Sequence, residues 1–365
     1  MTADAFPLEG IDYVEFWVGN ARQSAFYYQH AWGFTPIAYR GPENGTRDRA
    51  SYVMQQGDIR FVFSSALQPD HHINRFQSLH GDAVRDVALL VPDVEAAYQH
   101  ALSKGARSVI DPFVESDDDG EIRRAAIHTY GDTIHTLIER KGYEGIFMPG
   151  YVRTGVPEQG TRGYNLQAID HVVGNVELGM MNHWVKFYED VMGFTELVHF
   201  SDEEISTEYS ALMSKVIQAG SGRIKFPINE PAEGKRKSQI DEYLDYYHGA
   251  GVQHMALITD DIVATVDLLA SKGVQFLRTP EAYYDLAAER VGAIEEKWED
   301  LKRVGVLVDA DDEGYLLQIF TKPVQDRPTV FFEIIQRKGC RGFGQGNFKA
   351  LFEAIEREQA LRGNL

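Results

Sequence analysis

The chain says much the same thing twice. Ile11-Asp12-Tyr13-Val14 opens a segment that reaches Trp32-Gly33-Phe34, and Ile169-Asp170-His171-Val172 opens one that reaches Met192-Gly193-Phe194. Val84-Arg85-Asp86-Val87-Ala88-Leu89 returns as Val252-Gln253-His254-Met255-Ala256-Leu257, and both run on to Ser-Lys-Gly, at 103–105 and 271–273. Thr136-Leu137-Ile138-Glu139-Arg140-Lys141-Gly142 returns as Glu333-Ile334-Ile335-Gln336-Arg337-Lys338-Gly339. Self-similarity of this kind confines the chain to an architecture that builds one scaffold repeatedly. It also sets up an internal comparison. Tyr13, Asp86 and Thr136 stand where the second copy has His171, His254 and Glu333.

Two imidazoles and one carboxylate, at three matched places in one half only, point to a metal site. On an octahedral ion such a set leaves three positions open, which is the arrangement of non-haem Fe(II) oxygenases. Each of the three lies on a predicted strand, and a sheet positions ligands more tightly than loops do. Alternation along strands places Leu316, Gln318 and Phe320 on one face, and Phe331, Glu333 and Ile335 on another. A carboxylate between an aromatic and an aliphatic neighbour is costly unless something neutralises it, and a cation would. The chain holds 12 histidines, and a lone histidine in a strand is more often a core residue than a ligand. His71-His72 reads as a surface loop, and His183, His199 and His248 have no matched partner. His135 precedes Thr136 and so faces away from it. The joint replacement of His171, His254 and Glu333 in the first copy sets these three apart.

Apolar and polar periodicities suggest an α+β chain made of βαβββ modules. In the first half, strands are expected at 13–18, 35–39, 51–56 and 59–64 around a helix at 21–31. A second module follows, with strands at 86–91, 108–112, 122–129 and 133–139 and a helix at 94–104. The second half repeats the plan with insertions. It has strands at 168–174, 195–200, 212–219, 224–228, 252–258, 305–309, 314–320 and 329–337. Helices are expected at 182–191, 262–271 and 283–303, with one more, capped by Ser238, running to His248. Residues 149–164 are rich in glycine and proline and read as a linker. They divide residues 1–150, the half without a metal site, from residues 151–365, the half that carries it. After Gly342, Gly344 and Gly346, Asn347 is a good helix cap, and Phe348, Leu351, Phe352 and Ile355 share one helical face. That helix is either a lid on a glycine hinge or permanent packing.

A net charge of −19 disfavours nucleic acid and anionic membrane as partners. It also means that an anionic substrate would need local positive charge, which a divalent cation supplies. The single cysteine, Cys340, rules out an intrachain disulfide and a cysteine-based zinc site. The first residues lack a basic region followed by an apolar run, and no apolar run nears the roughly 20 residues that span a bilayer, so a cytoplasmic location is expected. Gly342 to Gly346 lacks a preceding βαβ context for a dinucleotide, and no P-loop or nucleophile elbow is present. Lys235-Arg236-Lys237 reads as a solvated face.

Several segments in order resemble the 4-hydroxyphenylpyruvate dioxygenase family. They are Pro227-Ile228-Asn229-Glu230-Pro231, Lys237-Ser238-Gln239-Ile240, Gly249-Ala250-Gly251-Val252-Gln253-His254 and Leu317-Gln318-Ile319-Phe320-Thr321-Lys322-Pro323. Phe332-Glu333-Ile334-Ile335-Gln336-Arg337 and Gly342-Phe343-Gly344-Gln345-Gly346-Asn347-Phe348 complete the set. The match is dense in the second half and rests on the repeat pattern in the first. The resemblance implies a vicinal oxygen chelate fold: two barrel-like domains, each of two βαβββ modules, plus a C-terminal helix. It implies one Fe(II) per chain on His171, His254 and Glu333, with 4-hydroxyphenylpyruvate and O2 as substrates and homogentisate and CO2 as products of tyrosine catabolism. It implies a substrate pocket of Ser214, Asn229, Gln239, Gln253, Gln318, Phe320, Phe331, Phe343, Asn347, Phe348 and Phe352. Of these, Ser214, Asn229 and Gln239 are the candidate anchors for the phenol. Simple alternation turns Gln253 away from His254, so its place in that pocket requires a bulge. A homo-oligomer, dimer or tetramer, is expected. Two other functions remain open at this point. One is 4-hydroxymandelate synthase, which would use the same ligands and substrate. The other is a metal-free binding protein on the same scaffold.

Overall fold

Four βαβββ modules follow one another along the chain in this computed structural model, which describes residues 6–155, 163–201, 211–232 and 234–364. The first comprises β1 (Gly10–Trp17), α1 (Ala21–Trp32), β2 (Thr35–Arg40), β3 (Arg49–Gln56) and β4 (Ile59–Ala66). After α2 (His72–His80) comes the second: β5 (Ala83–Leu90), α3 (Val94–Ser103), β6 (Ser108–Asp117), β7 (Gly120–His128) and β8 (Ile134–Glu139). A short β9 (Val152–Arg153) pairs back onto β2. The expected linker thus begins as an edge strand, and its residues 156–162 lie outside the described residues. The third module is β10 (Ala168–Asn175), α4 (Met181–Met192), β11 (Thr195–Phe200), β12 (Ala211–Gln218) and β13 (Lys225–Ala232). α5 (Gln239–Tyr247) leads to the fourth: β14 (Gly251–Ile258), α6 (Ile262–Ser271), α7 (Ala282–Val291), α8 (Trp298–Val304), β15 (Leu307–Asp311), β16 (Gly314–Phe320) and β17 (Phe331–Lys338). α9 (Phe348–Leu361) ends the chain.

The modules pair into two curled sheets of one topology. The first sheet runs β6-β7-β8-β5-β1-β4-β3-β2-β9 and the second β11-β12-β13-β10-β14-β17-β16-β15. In each, the opening strands of two modules lie side by side and antiparallel, β1 with β5 and β10 with β14. Each opening strand is flanked by the parallel closing strand of its own module. This puts β10, β14 and β17 next to one another at the middle of the second sheet. The strands expected to carry the three ligands are therefore neighbours.

Local chemistry explains the matched helices. Asn20 starts α1 by accepting from the Gln23 amide, and Gly33 ends it in the left-handed region at φ 76°, as Gly193 ends α4 at φ 68°. Ser238 caps α5 through Asp241, as its sequence predicts.

Three expectations fail locally. The stretch read as a surface loop at His71-His72 begins α2. His71 accepts from the Ile73 amide, and Ile73, Phe76 and His80 bury one short face. The single helix expected at 283–303 is two, because Gly292 ends α7 at φ 79° and a helix does not resume until Trp298. Asn347 makes no capping hydrogen bond to α9. Its Oδ1 accepts instead from Tyr283 Oη at 2.6 Å and Arg290 Nη2 at 3.2 Å.

One apolar cluster joins the two halves. Trp32 of α1 sits 4.7 Å, centroid to centroid, from Phe332 of β17, and His135 of β8 stacks on Phe226 of β13 at 5.6 Å.

Candidate metal centre

His171 on β10, His254 on β14 and Glu333 on β17 point their ends at a common place, with donor atoms all within 4.8 Å of one another. His171 Nε2 lies 3.1 Å and His254 Nε2 3.6 Å from the same oxygen, Glu333 Oε2. Two donors about 2.1 Å from an ion and at right angles stand about 3 Å apart, so the three side chains fit one octahedral cation. His171 and Glu333 are buried, while His254 keeps 12 % of its side chain open.

The backbone has to be irregular to achieve this. Between β10 and β14 the register skips once at Asp170 and once at Gln253. Each bulge swings the residue before a histidine round to that histidine's ring. Asp170 Oδ2 sits 2.8 Å from His171 Nδ1, and Gln253 Oε1 sits 2.9 Å from His254 Nδ1. Gln253 therefore shares a cavity with the His254 beside it, through the bulge that its position required.

Charge follows this placement. Burial pushes His171 down, but Glu333 on one nitrogen and Asp170 on the other more than reverse it, so its pKa is raised. Burial leaves His254 lowered, since its second nitrogen meets only an amide. Burial works to raise Glu333, and the two imidazoles overcome it and hold the carboxylate below its usual range. Asp170 is likewise held well below the carboxylate range: its burial is outweighed by His171 and Arg337.

In the first half the corresponding place is filled by hydrogen bonds. Asp86 accepts from Tyr13 Oη at 3.1 Å, from the Thr136 amide at 2.9 Å and from Thr136 Oγ1 at 2.6 Å. Phe147 packs edge-on against Tyr13, at 5.5 Å, and is fully buried there with Met148. His135 points to the other side, as its neighbour's orientation dictates, with Nδ1 on the Val87 carbonyl at 2.8 Å.

Above the three donors lies a cavity of about 600 Å³, open space at its mouth included. Ser214 on β12 stands opposite Asn229 on β13. Gln239 enters from the start of α5, Gln253 from β14, Gln318 and Phe320 from β16, Phe331 from β17, and Phe343, Phe348 and Phe352 from the tail. Phe331 lies flat on His254, at 4.7 Å and 17°, and Phe343 meets His171 edge-on at 5.2 Å. Asn347 is not part of this wall. It is buried behind it, on Tyr283 and Arg290. Other lining residues were not assigned to the pocket from the sequence: Val173, Leu212, Val216, Pro227, Phe200, Leu351 and Ile355. Most stand two places from a named residue on the same strand, and Leu351 and Ile355 share the helical face of Phe348, so strand and helix periodicity would have found them. No lysine or arginine lines the cavity among the described residues.

α9 closes one side of this space. Gly344 takes φ 75° where a Cβ would collide with Gln318, so glycine alone lets the tail pass so close to the wall. At the far end, Arg362 clasps the buried Glu242 of α5 through Nε at 3.0 Å and Nη2 at 2.6 Å.

Comparison with known proteins agrees with this arrangement. Residues 3–148 match the family described as "Hydroxyphenylpyruvate dioxygenase, HPPD, N-terminal", and residues 168–319 match the "Glyoxalase/Bleomycin resistance protein/Dioxygenase superfamily". The chain is 49 % identical to 4-hydroxyphenylpyruvate dioxygenase of Yarrowia lipolytica, over 98 % of its own length and 93 % of the relative's. It is 47 % identical to the Dictyostelium discoideum enzyme of the same name, over 98 % and 100 %. Among solved structures, a triple mutant of 4-hydroxymandelate synthase from Streptomyces coelicolor superposes with a TM-score of 0.88 at 35 % identity, covering 97 % of this chain and 99 % of that one. The fold is the vicinal oxygen chelate fold, and the chain belongs to the 4-hydroxyphenylpyruvate dioxygenase family of enzymes.

Proposed function

We propose that this enzyme binds one Fe(II) on His171, His254 and Glu333 and converts 4-hydroxyphenylpyruvate and O2 to homogentisate and CO2. Residues 151–365 are the catalytic half in this reading, and residues 1–150 repeat the scaffold without the metal. The observation that carries it is the donor triad at the base of a cavity that, among the described residues, no lysine or arginine lines. A 2-oxo acid brings a carboxylate into that cavity, and a divalent cation on the triad is the positive charge that it would meet. Fe(II), when bound there, supplies the activation of O2 and of the 2-oxo acid.

The chain's own residues bind and shield. Phe331 and Phe343 cover the two histidines and offer their faces and edges to an aromatic ring while keeping water away. Ser214, Asn229 and Gln239 are the polar anchors for the phenol. Gln318 Oε1 is buried without a hydrogen-bond partner, so an incoming donor would satisfy it. The reading includes a dimer or tetramer in the cytoplasm. No helix among the described residues is long and apolar enough to cross a membrane.

The similarity to 4-hydroxymandelate synthase supports one rival, which would use the same substrate and give a different product. A metal-free binding protein would be expected to lack donors in both halves, and here the second half keeps all three. Anaerobic reconstitution with Fe(II), then exposure to air with 4-hydroxyphenylpyruvate, tests the proposal by chromatography of the product. Homogentisate is expected. 4-Hydroxymandelate would overturn the product assignment, and absence of oxygen uptake would overturn the reaction class.

A further inference from the structure

Each half contains an aspartate placed by the same bulge and gripped by the same arginine. In the second half, Arg337 of β17 donates through Nε to Asp170 Oδ1 and through Nη2 to Oδ2, both at 2.8 Å. In the first, Arg140 donates to Asp12 in the same two-pronged way, at 2.8 and 2.6 Å. The match extends further. The Arg337 guanidinium lies over Phe343 at 5.5 Å and donates through Nη1 to the Gly342 carbonyl at 2.7 Å. The Arg140 guanidinium lies over Phe147 at 5.2 Å and donates to that residue's carbonyl. The register skips at Asp12 as it does at Asp170. Asp12 also accepts from Arg60 Nη1 at 3.3 Å, where Asp170 has Lys225 Nζ at 3.9 Å. The difference that bears on a metal is the next residue: beside Asp12 stands Tyr13, and beside Asp170 stands His171, whose Nδ1 is 2.8 Å from the clamped carboxylate.

We propose that Asp170 and Arg337 are positioning residues for the metal ligand His171. The two-pronged clamp fixes Asp170, and Asp170 holds the imidazole with its proton on Nδ1, leaving the Nε2 lone pair directed toward Glu333. Arg337 Nη1 also donates to the carbonyls of Cys340 and Gly342, at 3.2 and 2.7 Å, which ties the start of the C-terminal tail to the same ligand. This rests on the metal reading of the site. The Asp12–Arg140 pair is the internal control, since it is the same scaffold element with no histidine to hold.

The effect differs from that of an ordinary buried ion pair. An acceptor on Nδ1 fixes the tautomer and the ring plane of a metal-bound histidine, and losing such a partner typically weakens metal binding by about 10- to 100-fold. An amide in its place can present an N–H to Nδ1 and drive the proton to Nε2, the wrong tautomer for a ligand.

The test measures Fe(II) dissociation constants under anaerobic conditions by competition with a chromophoric chelator, together with the absorption spectrum of the Co(II)-loaded protein. Asp170→Asn is expected to weaken Fe(II) binding by about 10- to 100-fold and to alter the Co(II) spectrum. Arg337→Lys keeps the positive charge and loses the fork, and about tenfold weakening is expected. Asp12→Asn should cost thermal stability and leave both metal readouts at wild-type values. Wild-type affinity in Asp170→Asn or in Arg337→Lys overturns the proposal, as does equal weakening in Asp12→Asn. Should Asp170→Asn fail to fold, the comparison of Arg337→Lys with Asp12→Asn decides alone. His171→Ala separates the two levels: wild-type Fe(II) binding there would remove the ligand assignment itself, while lost binding there beside unchanged Asp170→Asn removes only the positioning role.

Discussion

At the scale of single residues, the two halves form a natural substitution experiment. Where the first half has Tyr13, Asp86 and Thr136, every polar atom of the carboxylate has a donor. Where the second has His171, His254 and Glu333, the carboxylate faces two imidazole nitrogen atoms, at 3.1 and 3.6 Å, of a kind that can bind a metal. Glu333→Ala or His254→Ala is therefore expected to abolish Fe(II) binding and turnover while leaving the melting temperature near that of the wild type, because the packed cores of both halves are untouched. Metal analysis and thermal unfolding check this, and wild-type turnover in either variant would refute the assignment. Asp86→Ala should do the reverse. It strands the Tyr13 hydroxyl and the Thr136 groups in a buried site, at a cost of about 1–3 kcal/mol, and leaves the iron content unchanged. Loss of iron in that variant would mean that the metal sits in the other half.

At the scale of elements, the repeat made the strands legible and the periodicity of each strand made the site legible. The strands β10, β14 and β17 that carry the three candidate donors and the placement of Ser238 at the start of α5 follow from local pattern. What did not follow was where the chain departs from its own rule. α2 buries too few apolar residues for its period to stand out, and the break between α7 and α8 turns on the positive φ of Gly292, which a charged amphipathic stretch hides. Asn347 has the composition of a cap, yet a tyrosine hydroxyl and an arginine distant in sequence claim its oxygen. The tail helix shows the same division. Its apolar face was readable, and its anchor, Arg362 on the buried Glu242, was not, since that pair spans 120 positions. Removing the chain beyond Arg341 takes Phe343, Phe348, Leu351, Phe352 and Ile355 out of the cavity wall. We expect kcat/KM to fall by roughly 100-fold or more, because substrate and donors lose their shared enclosure. Steady-state kinetics on the truncated enzyme, with iron content measured in parallel, checks this. Full activity would reduce α9 to packing.

At the scale of the whole molecule, the two sheets meet through side chains that face away from both barrel interiors, and one of these is a histidine without solvent. His135 donates through Nδ1 to the Val87 carbonyl and, as the neutral ring, accepts at Nε2 from the Tyr188 hydroxyl, each at 2.8 Å, and lies flat against Phe226. Burial pushes its pKa down to about 4. The unfolded residue takes up its proton near 6.5 and the folded one only near 4, so between those values the unfolded chain binds more protons. Stability must then fall as pH drops from about 6.5 toward 4, and this contribution is fully present above that window. From the two pKa values the loss attributable to His135 at pH 5 is about 2 kcal/mol relative to pH 7. His135→Gln keeps a donor and an acceptor and cannot titrate. It should be less stable than the wild type at pH 7, through lost packing on Phe226, and the difference should shrink by about 2 kcal/mol at pH 5. Urea unfolding of both proteins at the two pH values checks this. Because Asp170 and Glu333 are unchanged in the variant, their own acid sensitivity cancels in the comparison. A difference between the two proteins that stays constant from pH 7 to pH 5 would mean that the imidazole at the junction of the halves takes up its proton as readily in the folded chain as in the unfolded one.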